Sequence, residues 1–376
     1  MSTKTSTSAM RLHAKSLHRG MRGLSLIELL VGMALSLMAI VAIYQVLAVW
    51  DGRRRTITAG SSAQVSGGIG IAEIERDMQL SGMGFGNASA ATIGCTVEAY
   101  NSVLTTPTFN FVFAPVLITD SASGAPDVVR VLYGNSAFVV NIQKVNASTS
   151  TNKTLQYRTG FNAGDLVVVA GNTPRACSLF EVTGNTAADS VSIEHGTAAY
   201  TNVYSNTSVT PTLNSGVAGT AYPDGGEIYN LGPGAQLTQW AVTAAGVLTR
   251  TNLLRDTAAS EVTEGVVNLQ AQYGVDANNN GRVDSTEWTN TQPTDWTLVL
   301  AVRIAVLARS SQLEKDNVTP RTSPPTWAGG NFTMLNLDGS AGTAAPAAIA
   351  DDWTRYRYRV YETMVPLRNM IWGKTS

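Results

Sequence analysis

Leu24 to Trp50 is an almost uncharged apolar run whose one formal charge is Glu28, and nothing else in the chain restricts its fold as much. Wound as a helix at 1.5 Å per residue it reaches roughly 40 Å, enough to cross ~30 Å of hydrocarbon. The run therefore predicts a transmembrane helix. A carboxylate so near the start of an apolar helix is expensive in lipid. Taken alone, Glu28 either snorkels to the interface, where it also favours the helix N-terminus, or meets a cationic partner.

The residues before the run decide its orientation. Lys4, Arg11, Lys15, Arg19 and Arg22 are accompanied by no acid, which predicts a cytoplasmic leader and sends the C-terminal bulk across the membrane. An ordinary secretory signal is cut after its apolar core. Here the favourable bond lies before it: Gly23 has no Cβ and no helical preference, so the Gly23–Leu24 bond can be presented extended to a peptidase at the membrane face. The apolar helix then stays attached. Arg53, Arg54 and Arg55 on the far side read as a solvated or headgroup-facing turn. Loss of the five leader charges would take the net charge from -1 to about -6, a poor balance for binding nucleic acid.

Arg22-Gly23-Leu24-Ser25-Leu26-Ile27-Glu28 resembles the prepilin signature of the type IV pilin superfamily. The resemblance implies cleavage by prepilin peptidase, N-terminal methylation, and pairing of Glu28 with the freed α-amino group of a neighbouring subunit during assembly. Shorter stretches resemble PilW-type minor pilins: Ile74-Glu75-Arg76-Asp77-Met78, Cys177-Ser178-Leu179-Phe180-Glu181, Tyr273-Gly274-Val275-Asp276 and Val365-Pro366-Leu367-Arg368-Asn369. What that implies is a minor pilin that joins other minor pilins and the major pilin, through an inner-membrane assembly platform, to prime a type IV pilus at its tip. A tip adhesin would be a further partner, and twitching motility and adhesion the processes served. The chain would sit in the inner membrane of a Gram-negative bacterium with its C-terminal domain in the periplasm, then in the pilus at the cell surface. Two other readings stay open: a J-type pseudopilin of type II secretion, and a surface binding protein or hydrolase that uses the helix as an anchor.

The fold expected is α+β. Residues 1–23 form the leader, 24–82 a long helix that is partly transmembrane, and 83–376 a mainly antiparallel β domain. Val65, Ile69, Ala72 and Arg76 keep helical spacing beyond the membrane, as do Ile71, Ile74 and Met78. Gly60, Gly67, Gly68 and Gly70 predict a bent or melted segment around 58–70. Beyond Gly86, short β-branched runs alternate with turn residues, with candidate strands at Phe109–Ile118, Asp127–Tyr133, Asp165–Ala170, Gly226–Leu231, Gly246–Leu254, Val262–Val275 and Trp296–Arg309. Residues 184–222 and Thr319–Ala348 read as long surface loops. From Trp353 to Glu362 a period of two places arginines on one strand face and Tyr356 and Tyr358 on the other, a half-buried strand with a solvated basic face.

Cys95 and Cys177 both fall in the exported part, which predicts one disulfide, two buried thiols being the alternative. His13 and His18 lie in the leader, leaving His195 for any imidazole chemistry. That residue stands in a Gly/Thr/Ala-rich stretch with no nucleophile elbow nearby and reads as a surface-loop histidine; no enzymatic activity is expected. The strongest chemical motif is Asp276-Ala277-Asn278-Asn279-Asn280-Gly281-Arg282-Val283-Asp284-Ser285-Thr286-Glu287. It places side-chain oxygens at positions 1, 3, 5, 9 and 12 of a calcium loop, glycine at 6 and the Arg282 carbonyl at 7. Asp276, Asn278, Asn280, Arg282, Asp284 and Glu287 are the expected Ca²⁺ ligands, the ion serving as a structural clamp. Its flanks read as strands, so the loop would join a β-hairpin. An Asx-rich turn without metal is the alternative.

Overall fold

The computed structural model describes residues 25–121, 124–136, 142–157, 160–171, 177–185, 191–215, 226–334 and 353–373. The leader and the Gly23–Leu24 bond lie outside them. The chain divides into two compact units at Arg55 and Thr56.

The first unit carries the apolar part of helix α1 (Leu26–Leu80). The Ser25 carbonyl accepts the N–H groups of Glu28 and Leu29 at 3.0 and 3.1 Å and so starts the first turn. Leu26–Asp51 is long and apolar enough to cross a membrane, and none of its most apolar window is buried among the described residues. Glu28 is exposed in the first turn.

The second unit contains the remainder of α1 and the β domain. The glycines do not melt the helix, which is assigned without interruption to Leu80. They also revise which face is inward. Val65 and Ile69 are 60 % and 45 % exposed, whereas Ala63, Gly67, Gly70, Ile74, Asp77 and Met78 are buried at spacings of three and four. A Cβ on Gly67 would overlap the Tyr361 ring and lie 3.0 Å from Ala308 Cβ; one on Gly70 would lie 3.1 Å from Leu248 Cδ2. These glycines bring the helix axis close to the sheets, and the hydrophobic residues on the opposite face are left bare. Gly82, with φ +77°, and the turns that follow end the helix close to the boundary expected at residue 82.

The domain holds three main sheets. The largest runs Thr108–Val112, Thr96–Tyr100, Cys177–Glu181, Leu166–Ala170, Gly226–Gly232, Gln143–Ser148, Asn152–Leu155, Ser192–Glu194, Gly184–Asn185. The second runs Ser260–Glu264, Val247–Asn252, Gln236–Val242, Val128–Tyr133, Val116–Thr119, and the third Trp288–Thr289, Val266–Val275, Val299–Arg309, Tyr358–Pro366. Pairing is antiparallel except where Val97 and Glu98 run parallel to Cys177 and Ser178. Two expected strands are each divided. Phe109–Ile118 is interrupted before Pro115, and Val262–Val275 at Gly265, whose φ is +80°. The C-terminal strand starts at Tyr358, after a 3₁₀ turn at Trp353–Arg355, yet its alternation holds: Arg357 and Arg359 are exposed and Tyr356 is buried.

Apolar runs without alternation become strands covered on both faces. Every residue of Leu166–Ala170 is buried, with Leu166, Val168 and Ala170 in the main core and Val167 and Val169 in a second core with Phe180 and Ile228. Val299–Arg309 behaves likewise. Val302, Ile304 and Val306 face the main core shared with Ile74 and Met78, while Ala305 and Leu307 lie under Phe332, Met334 and Trp353. The described parts of the two expected loops contain short strands. Short strands occur at Ser192–Glu194, Tyr200–Asn202 and Thr207–Val209, and the hairpin Thr326–Trp327/Gly330–Asn331 follows Thr319.

Candidate functional site

Asp77 fastens the helix to the second sheet. It is 1 % exposed, and its carboxylate accepts from Tyr133 OH at 3.2 Å, Trp240 Nε1 at 3.2 Å and Arg250 Nε at 3.0 Å. Burial by itself would lower the Arg250 guanidinium, but the hydrogen bond and charge of Asp77 outweigh it and leave the pKa raised. Beside this cluster Thr363 Oγ1 approaches Glu75 at 3.5 Å, and Tyr361 OH donates to the Gln64 carbonyl at 3.1 Å. None of these partnerships was read from the sequence. In the sequence Asp77 stands in a charged run with Glu73, Glu75 and Arg76, and its period with Ile74 is the available signal.

The calcium-type loop connects the strand Val266–Val275 to Trp288–Thr289, a hairpin as expected. Asp276 is 1 % exposed, and its two carboxylate oxygens accept the N–H groups of Asn280 and Gly281 at 2.8 and 3.0 Å. At the other end Glu287 Oε1 accepts from Ala277 and Asn278, and Oε2 from Asp284, at 3.0, 3.2 and 2.8 Å. The first and last acids thus wrap the backbone around one centre. Asn279 and Gly281 take φ of 58° and 82°, the left-handed turns that this wrap requires.

Three further ligand positions converge. Asn278 Nδ2 and Asn280 Nδ2 lie 3.2 and 3.0 Å from the same oxygen, Asp284 Oδ2. Turning either amide over would bring its Oδ1 beside that carboxylate, an arrangement made favourable by a cation between the oxygens. Among the described residues no three His, Cys, Asp or Glu side chains are grouped to hold a metal by themselves. The asparagine oxygens and the Arg282 carbonyl are therefore needed to complete the set, and the residues present fit a hard cation. Arg282 Nε lies 3.3 Å from Asp284 Oδ1 and would compete with that cation for the carboxylate.

Cys95 and Cys177 form a disulfide, with Cα atoms 6.2 Å apart, next to the parallel strand pair. His195 is a correction to the sequence reading. It is 1 % exposed, follows the strand Ser192–Glu194, stacks at 4.1 Å on Phe180 and receives Lys153 Nζ at 2.9 Å through Nε2. Burial, then the charge of Lys153, pushes the imidazole down to about 3, and burial pulls Lys153 down to about 8. A Gly/Thr/Ala-rich environment concealed a packed, neutral ring.

An apolar helix long enough to cross a membrane, followed by a mainly antiparallel β domain, is the α+β architecture expected from the sequence. Residues 241–369, which include the hairpin loop and most of the third sheet, match the family model Type IV Pilus-assembly protein W. Over that stretch, about a third of its length, the chain is similar to the PilW family of type IV pilus-assembly proteins. No curated protein and no solved structure matches it.

Proposed function

We propose that the chain is a minor pilin, cut between Gly23 and Leu24 by prepilin peptidase and assembled with other minor pilins to prime the pilus from its tip. The observation that carries this reading is the division of labour along α1. Among the described residues the apolar window of Leu26–Asp51 is unburied, whereas the stretch around Gly67 and Gly70 is closely held by the domain. A naked apolar helix is stable in lipid or among like helices. Glu28, exposed in its first turn, would find the freed amine of a neighbour and so fix register. The match at 241–369 supports a pilus over a secretion pseudopilus.

N-terminal sequencing of the protein recovered from host membranes and from sheared pili tests the processing step. Leu24 is expected as the first residue in both. Gly23→Val should retain the leader and reduce piliation. Protein in fibres that still begins at Met1 would overturn the reading.

The loop Asp276 to Glu287 is proposed to hold a structural Ca²⁺. With three carboxylates and two neutral amides, an affinity of roughly 10⁻⁴ to 10⁻³ M is expected, and at the tighter limit ~1 mM calcium would add about 1.4 kcal/mol to stability. Calorimetry of the full chain in detergent micelles should show a melting temperature that rises with calcium and falls with chelator. Asp276→Ala with Glu287→Ala should abolish the response. A wild-type melt indifferent to both additions would remove the ion.

A further inference from the structure

The outer face of the third sheet is covered at one end by Phe332, Met334 and Trp353, and at the other opens into a cavity of about 320 Å³. Strand register determines what lines it. Gln272, Arg303 and Met364 are cross-strand neighbours, and Glu362, opposite Ala305, is next along the same face. The Arg303 guanidinium lies between two indoles, 4.8 Å from the Trp288 ring and 5.5 Å from that of Trp327. Both indoles are seated against glycine. A Cβ on Gly274 would lie 3.0 Å from Trp288 Cζ3, and one on Gly329 would overlap the Trp327 ring. With Trp288 and Trp327 over its guanidinium, Arg303 is placed to offer N–H donors to a ligand.

Those donors are partly used. Arg303 Nε donates to Gln272 Oε1 at 2.7 Å and Nη2 donates to the same oxygen, while Nη1 makes no hydrogen bond to a described residue. Across the cavity Glu362 Oε2 accepts the Ala328 N–H at 2.9 Å, and Oε1 has no such donor among the described residues. Burial lowers the Arg303 guanidinium and the charge of Glu362 opposes this, yet no ion pair joins the two side chains. A donor and an acceptor therefore face one space without meeting. A simple anion there would be repelled by Glu362 and a simple cation by Arg303. A vicinal diol satisfies both, since each hydroxyl donates and accepts, and the Met364 side chain offers an apolar contact for the C–H face of a sugar ring. The volume is at the small end of ligand pockets, room for one or two rings.

We propose that this cavity is a saccharide-binding site for a neutral pyranoside, Arg303 donating to one hydroxyl and Glu362 accepting from its neighbour. The site stands on the sheet alone and is independent of how the helix is processed or assembled.

The test is saturation-transfer NMR with an intrinsic tryptophan titration, on the full chain in a detergent without a sugar headgroup. The probes are the methyl glycosides of glucose, galactose and mannose, with acetate and glycine as anionic and zwitterionic comparators. At least one glycoside should bind in the millimolar range and the comparators should not. Arg303→Lys and Glu362→Gln should each weaken binding about 10-fold or more, the loss expected for a hydrogen bond to a charged group. Glu362 is exposed on the outermost strand, so its variant tests the site without disturbing the core. Silence from all three glycosides, unchanged binding in Glu362→Gln, or binding of glycine or acetate in their place would overturn the proposal.

Discussion

Asp77→Asn is the sharpest test of how α1 is held to its domain. The substitution keeps the size of the side chain and one acceptor oxygen but leaves Arg250 without its counter-charge. Removing one partner of a buried pair costs about 3–5 kcal/mol. The Arg250 side chain is 32 % exposed against 2 % for Asp77, so solvent recovers part of the loss and the lower end applies. Three donors, from Tyr133, Trp240 and Arg250, now share the carboxylate. An amide cannot accept from all of them, which adds about 1 kcal/mol. The total is about 4 kcal/mol, or on the order of 8 °C at roughly 2 °C per kcal/mol for a domain of this size. Thermal unfolding of the full chain in micelles, followed by near-ultraviolet circular dichroism, reads the shift. A cycle with Arg250→Met and the double variant should give a coupling of about 1–3 kcal/mol. A melting temperature within about 1 °C of wild type, or strictly additive single changes, would show that the cluster does not carry the docking of the helix.

Two neighbouring glycines should respond in opposite directions to alanine. Gly67→Ala drives a methyl into the Tyr361 ring and should lower stability by about 1–3 kcal/mol, whereas Gly68, with nothing within 4 Å of an added Cβ, should gain up to about 1 kcal/mol, both read by thermal melts. Replacing Cys95 and Cys177 together by alanine opens a loop of 82 residues and should cost about 4–5 kcal/mol by the chain-entropy relation, measured by denaturant unfolding with and without reductant. Asp127 supplies a pH signature. Burial raises its carboxyl from 3.8 to about 6 against the pull of the Ser121 and Ala271 N–H groups, so the folded state binds the proton more tightly than the unfolded one. Its contribution is fully present below 3.8 and is lost as the pH rises through 6. The stability of wild type relative to Asp127→Asn should therefore grow on acidification from pH 7 to 4, by at most about 3 kcal/mol, and a flat difference would refute the assignment.

The helix and the hairpin loop were legible because each has a period or spacing that few other structures share. Leu24 to Trp50 is too apolar for anything but a bare or lipid-facing helix, and Asp276 to Glu287 carries its turn glycine between two readable strands. Beyond Arg55 the hydrophobic pattern of α1 misled. Val65 and Ile69 are prominent in sequence but face outward, and the contact is made by Gly67 and Gly70, whose value lies in the atoms they lack. A search for apolar stripes cannot see an approach made through missing side chains. The same limit concealed the seats that Gly274 and Gly329 provide for Trp288 and Trp327. His195 was misjudged because local composition described its neighbours, while its burial depends on Phe180 and Lys153 from distant strands. The parallel pair of Val97 with Cys177 is equally non-local and left no mark in either strand.

The third sheet separates anchoring from recognition along a single pair of strands. Its inner face meets α1 at Tyr361 and Ala308, and Tyr361 is paired with Val306. Its outer face presents Arg303 beside Met364, three residues away and so roughly 10 Å along the strand. The hairpin loop joins the sheet at the Arg303 end. Glu287 returns its carbonyl to the Val275 N–H at 3.0 Å, and the next residue is Trp288, which flanks Arg303. A cation held by Asp276 and Glu287 would therefore act first on Trp288 and the outer cavity. The helix contacts lie on the opposite face, behind strands buried on both sides. If the cavity takes the proposed ligand, the loop would tune that recognition while the helix contacts on the opposite face stay unchanged.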